Sequence, residues 1–235
     1  MEVDLHAMDS LGPRLRSAFR ETDEALLEEL RQSVPDDVAE AMAESKGGFF
    51  LSSGCVGCIA IVTASAVHVA NLGDCRAILC NDGEMVSLTE DHRPEVHAGE
   101  RERLEELGVE ISSDGYLHGR IAVSRAFGDM TYHEEDKVRG LSAVPDVTSA
   151  PIGADTEFLL IACDGVFEKL TGQEAGQVVR RRLRASGDPK GAAEALVRMA
   201  ERSTGSDNLS AVVVLFKRPE AADREGPREA PRLFG

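Results

Sequence analysis

Four short segments place an acidic side chain where an apolar stretch meets a turn. They read Leu72-Gly73-Asp74-Cys75-Arg76-Ala77, Ser124-Arg125-Ala126-Phe127-Gly128-Asp129, Ala162-Cys163-Asp164-Gly165-Val166-Phe167-Glu168 and Gly205-Ser206-Asp207-Asn208-Leu209-Ser210. A strand that ends in Gly-Asp or Asp-Gly delivers a carboxylate to the rim of a sheet, and hard divalent cations take oxygen ligands held by rigid elements. Carboxylates converging there without a cation repel one another, and some must take up protons. A divalent ion reverses that penalty and lowers the pKa of a bound water towards neutrality, which supplies a nucleophile for a phosphate ester. Taken singly, each segment is equally an ordinary turn, because Asp and Gly are turn residues.

In this order the four carry more information. With Leu88-Thr89-Glu90-Asp91-His92-Arg93-Pro94, and with Ala122-Val123 leading into the second segment, they resemble the metal-dependent Ser/Thr protein phosphatases (PPM, or phosphatase 2C type) from about Leu15 to Phe216. The resemblance implies two metal ions, Mg or Mn, with water between them as the attacking group, so no side chain is assigned as the catalytic nucleophile. It implies that Asp164 and Asp207 are core metal ligands. Asp74 and Glu168 resemble the ligands of an additional, weaker site, where the family more often has Asp than Glu at the last position. Gly165 adjoins Asp164, Asn208 orients Asp207, and Arg125 with Asp129 shapes the site. Asp91 and His92 are a turn and helix-start device.

The family's first segment supplies an Arg for the substrate phosphate, a Glu-Asp pair and an Asp-Gly-His-Gly-Gly turn whose Asp bridges the metals. The nearest match here is Val3-Asp4-Leu5-His6-Ala7, with Leu5 where the family has Gly, and it reads as a polar N-terminus. The expected fold is α/β of the α+β type, two antiparallel β-sheets packed as a sandwich flanked by helices, with the first strands missing. Residues 1–218 are expected to form a partial domain of this type whose open sheet edge invites association. The expected function is hydrolysis of phosphoserine and phosphothreonine esters in a phosphoprotein substrate, with impaired turnover. A noncatalytic phosphatase-like binding module and an incomplete chain of an active phosphatase are the alternatives.

A chain of 235 residues suffices for one well-buried α/β domain, and a hydrophobic fraction of 42% supports a packed core. The formal net charge of −16 disfavours nucleic acid or an anionic membrane as partner. Most of that charge, including Glu21 to Glu29 and Glu100 to Glu106, reads as solvated surface. No apolar run reaches the ~20 residues of a membrane span. Five cysteines, four of them in or beside apolar runs, point to reduced thiols and an intracellular setting, cytoplasmic or nuclear. Cys55-Val56-Gly57-Cys58 has no second pair at ligand spacing and reads as core packing rather than a zinc or redox motif.

Leu15, Phe19, Leu26, Leu27 and Leu30 recur at helical spacing through Arg31. Asp36 to Ser45 suggests a second short helix. Ile59 to Ala64, Val67 to Asn71, Ala77 to Cys80 and Met85 to Leu88 are strand-like, with Asn81-Asp82-Gly83 as a hairpin signal. Glu95 to Leu107 is a charged helix stopped by Gly108, and Met130 to Val144 reads as a long surface loop. Phe158 to Cys163 suits a buried strand. Thr171 with Glu174 is a capping box opening a helix through Leu183, and Asp188-Pro189 opens another through Arg202. Leu209 to Phe216 is the last core strand, and composition makes residues 219–235 a disordered tail.

Overall fold

In a computed structural model the described residues are 5–33, 50–131, 136–204 and 207–220. The proposed helix at Asp36 to Ser45, Asp4, Gly205-Ser206 and most of the tail lie outside them. The order is α1 (Leu5–Ser33), β1 (Phe50–Cys55), β2 (Gly57–Val62), β3 (Ala66–Leu72), β4 (Arg76–Asn81), β5 (Glu84–Ser87), α2 (Ala98–Glu106), β6 (Phe127–Thr131), β7 (Asp136–Lys137), β8 (Asp146–Pro151), β9 (Thr156–Ala162), α3 (Asp164–Phe167), α4 (Gly172–Ser186), α5 (Pro189–Thr204) and β10 (Ala211–Leu215).

Every strand pairing is antiparallel. The largest sheet runs β10-β9-β4-β5, a second runs β2-β3-β8, and a small third runs β1-β6-β7. The first two form the sandwich. Val67 and Val69 of β3, Ala77 and Leu79 of β4, and Leu159 of β9 share one buried cluster between them. The alternate residues Ile78, Cys80, Phe158, Leu160 and Ala162 face the other way, onto Ala175, Val179 and Leu183 of α4 and Ala192, Leu196 and Ala200 of α5. On the far side Ala70 and Leu72 pack with Phe19 of α1. The period-two alternation of side chains puts β3, β4 and β9 between two apolar layers, so their sequences are apolar at nearly every position.

Local rules account for several ends. Asn81 pairs with Glu84 across a two-residue turn, and both Asp82 and Gly83 have positive φ, as a type I′ hairpin requires. The Thr171–Glu174 capping box is formed in both directions. Three sequence expectations change. Helix α1 runs back through Pro13 to Leu5, well before the Leu15 from which its apolar spacing is read; the helix tolerates the missing Pro13 N–H. Residues 130–144 are not simply a surface loop. Met130 lies in β6, and Val138 and Leu141 are buried with Ala126. The third is the supposed solvated charge: Asp23 is 5% exposed and Glu100 only 2%. Cys58 packs against the inter-sheet cluster as expected, whereas Cys55 is exposed. Apolar side chains remain open on the edge strands, with Ile59 and Val62 on β2 and Val212 on β10 exposed. No described helix is long and apolar enough to cross a membrane.

Leu196 is fully buried between α5 and the sheet, so Leu196→Ala should cost about 2–5 kcal/mol in chemical denaturation. Val96→Ala, at a position 67% exposed, should stay within about 0.5 kcal/mol of the parent.

Candidate metal centre

The register of the large sheet sets three acidic residues along one rim. Arg76 and Ala211 both lie opposite Ala162, so the chain just before β4, just after β9 and just before β10 ends at the same edge. Asp74, Asp164 and Asp207 occupy those positions, with Asp164 on the middle strand. Burial, followed by the charge of Asp164, pushes the Asp74 carboxyl above its usual range; Arg93 opposes that push and Asp91 adds slightly to it. Asp74 is 6% exposed and meets the Arg93 guanidinium at 3.6 Å. A buried carboxyl facing a second carboxylate is the local demand for a cation, and its donors are the hard oxygens that Mg and Mn prefer.

Asp164 opens the one-turn helix α3, and its Oδ1 accepts the Gly165 N–H at 2.9 Å. Gly165 lets the β10 approach come close. A Cβ there would lie 2.8 Å from the Asn208 carbonyl oxygen and 3.3 Å from Asp207 Oδ2. Asp207 Oδ1 accepts the Asn208 backbone N–H at 2.7 Å, so Asn208 orients Asp207 through its main chain. Glu168 is one turn beyond Asp164, its N–H bonded to the Asp164 carbonyl and its side chain exposed. Among the described residues no three His, Cys, Asp or Glu side chains are grouped to hold a metal ion. The donors at the rim, Asp74, Asp164 and Asp207, are the hard oxygens that would suit Mg or Mn.

The other two expected site residues have these contacts. Arg125 is a structural clamp: Nη2 donates to Glu100 Oε1 and Nη1 to Asp146 Oδ1, both at 2.7 Å, and Nη1 also to the Val144 carbonyl at 3.0 Å. Asp129 sits at φ 56° in β6, its carboxyl raised by burial and by Asp23 and lowered by Lys137. Lys137 Nζ bonds Asp23 Oδ1 and the Gly128 carbonyl, both at 2.8 Å, which ties α1 to the small sheet. Those partners belong to α1 and the small sheet.

Sequence reasoning missed the supporting cations and the buried acids. Arg76 makes a two-pronged bond to Asp91, at 2.9 and 2.7 Å, and stacks 5.0 Å over Phe167 beside Asp164. Arg76, Asp91 and Arg93 were within the quoted motifs, and their alternation of charge was the available signal. Glu100 gave none, because it stands in a run of charges on α2.

The family model for protein phosphatase 2C matches residues 6–209. A relative from Oryza sativa subsp. japonica, Probable protein phosphatase 2C 47, is 36% identical over 216 residues, which cover 92% of this chain and 51% of that protein. Probable protein phosphatase 2C 13 of Arabidopsis thaliana is 34% identical, covering 97% of this chain and 60% of the relative. The chain thus spans about half the length of the curated relatives it matches. Among solved structures, a serine-threonine phosphatase 2C from Toxoplasma gondii superposes with a TM-score of 0.66 at 21% identity, over 92% of this chain and 72% of that one. A phosphatase from a pathogenic Toxoplasma gondii strain gives 0.55 at 32% identity, over 67% and 50%.

Glu100 carries a pH prediction. Burial pushes its carboxyl up, but hydrogen bonds from Arg125, Arg103 and Ser124 outweigh burial and take it from 4.5 down to about 2. A carboxylate held low in the folded state stabilises fully above its unfolded pKa and loses that contribution as pH falls through the folded value. Stability should therefore drop as pH falls from 4.5 towards 2, with Asp146, also held low by His92 and Arg125, adding to the slope. Urea unfolding at stepped pH should show a shallower acid limb for Glu100→Gln than for the parent.

Proposed function

Because the chain belongs to the protein phosphatase 2C family, we propose that it acts on phosphoserine and phosphothreonine esters of a phosphoprotein, using Mg or Mn, with low turnover. The observation that carries this is the register that brings Asp74, Asp164 and Asp207 to one rim of the large sheet, with Asp74 buried there. A bound divalent ion would supply a water of lowered pKa as the nucleophile. Asp164 follows β9, the strand between β4, which Asp74 precedes, and β10, which Asp207 precedes; Glu168, one turn further on, would serve an additional, weaker site beside Asp74. Arg93 offsets the Asp74 charge while Arg76 keeps Asp91 turned aside. Gly165 admits the Asp207 turn, and Asn208 fixes its carboxylate.

The proposal of low turnover is supported by the donor count among the described residues, where no group of three acidic or imidazole ligands surrounds the pair. The same observation favours a second reading, a noncatalytic phosphatase-like module that keeps the sheet and binds phosphoprotein without cleaving it. Residues 1–218 as the domain, 219–235 as a tail, and association through the open β2 and β10 edges belong to the same proposal.

Calorimetric titration of residues 1–235 with Mn should give weak binding that Asp164→Asn abolishes. Asp74→Asn should raise the melting temperature of the metal-free protein, because it removes a buried like-charge repulsion, while reducing the stabilisation that Mn confers. Aryl phosphate hydrolysis with Mn should be far below that of an intact relative. Tight binding of two ions with vigorous turnover lost in Asp207→Ala would overturn the low-turnover reading. Unchanged binding in Asp164→Asn would overturn the metal centre.

A further inference from the structure

The Asp74 carboxylate is carried by a turn whose backbone is held from one side. Gly73 has φ 110°, a conformation that side chains rarely adopt, and a Cβ there would meet Val56 Cγ1. The Gly73 N–H donates to His92 Nδ1 at 3.0 Å, and the His92 N–H donates back to the Gly73 carbonyl at 3.0 Å. Asn71 Nδ2 adds a third bond, to the same carbonyl at 3.1 Å. Since Nδ1 accepts, Nε2 carries the ring hydrogen, and it donates to Asp146 Oδ2 at 3.1 Å. The His92 carbonyl accepts from both the N–H and the hydroxyl of Ser124. The ring is completely buried. Every polar atom of this residue is spent on fixing segments that flank the rim.

We propose that His92 is a positioning residue for the metal centre: Nδ1 fixes the Gly73 peptide so that Asp74 is presented to Asp164, while Asp146 on β8 holds the ring in the required tautomer. The inference rests on the reading of Asp74 and Asp164 as cation ligands. Nothing in the sequence marked His92 for this, since an Asp-His-Arg-Pro run describes equally a turn before a helix. Its role comes from a bond spanning nineteen positions between two turns.

Two near-isosteres separate positioning from packing. His92→Asn sets an amide oxygen close to the place of Nδ1 and abandons Asp146. His92→Gln sets a nitrogen near the place of Nε2 and abandons Gly73. Both should lose comparable thermal stability. Mn affinity, read by calorimetry and by electron paramagnetic resonance of the free ion, should stay near the parent in His92→Asn and fall about 10- to 100-fold in His92→Gln. Amide exchange at Gly73 should stay slow in the first variant and become fast in the second. Equal Mn affinities in the two variants would overturn the proposal, as would fast Gly73 exchange in the parent. Should neither variant fold, Asp146→Ala releases the ring together with one arm of Arg125, which Glu100 still holds; it should weaken Mn binding, and an unchanged affinity there also overturns the proposal. A parent that binds no Mn, or binds it undiminished in Asp164→Asn, refutes the metal reading itself, and Gly73 exchange then still decides whether His92 governs the turn.

Discussion

One guanidinium anchors the architecture around the rim. Arg125 reaches Glu100 on α2 with one nitrogen and Asp146 on β8 with another, and its carbonyl side borders Gly73. Arg103 and the Ser124 hydroxyl complete the shell of Glu100, which is why a nearly inaccessible carboxylate stays ionised. Removing one member of such a set strands the others without water, a loss typically larger than the net worth of the intact pair. The connection between β5 and β6 is thus held by a few charged contacts as well as by the small core of Leu104, Val109 and Leu117.

The two halves of the rim are built by different physics. Asp164 and Asp207 follow from the sheet: paired strands β9 and β10 end together, and Cys163 bonds across them, its N–H to the Ser210 carbonyl and its thiol to the Asn208 carbonyl. Asp74 lies on a link between sheets, because β3 belongs to one layer and β4 to the other. Its placement depends on a positive-φ glycine and a buried imidazole rather than on a ladder. Asp74 is accordingly the rim carboxylate most exposed to changes made elsewhere in the molecule.

Much of the scaffold was legible in the sequence, and the reasons are specific. Phe158 to Ala162 and Ala77 to Cys80 are apolar at every step because both faces are covered, and the Asn81-Asp82-Gly83 turn and the Thr171 box follow local rules that tertiary contacts reinforce. Strands β1 and β8 escaped notice, since Phe50–Cys55 and Asp146–Pro151 are rich in Ser, Gly and Pro and earn their place by pairing with distant partners. Acidic residues were legible as candidates and illegible as to environment. Asp23 and Glu100 sit in charge runs like any solvated ones, yet each is buried against a cation from a segment far along the chain. Asp129 shares a motif with Arg125, yet its charged neighbours are Asp23 and Lys137, whereas Arg125 clamps α2 to β8.

The sheet order also dictates how the chain must come off the ribosome. Strand β4 is made early and forms its hairpin with β5 at once, but its inner partner β9 follows only after the whole stretch from Asn81 to Thr156. At about 5–20 residues per second that interval is on the order of ten seconds. Throughout it Ile78 and Leu79, destined for opposite apolar layers, have no sheet neighbour on the β9 side. Synthesis therefore leaves one side of the nascent hairpin open for as long as that stretch takes to emerge.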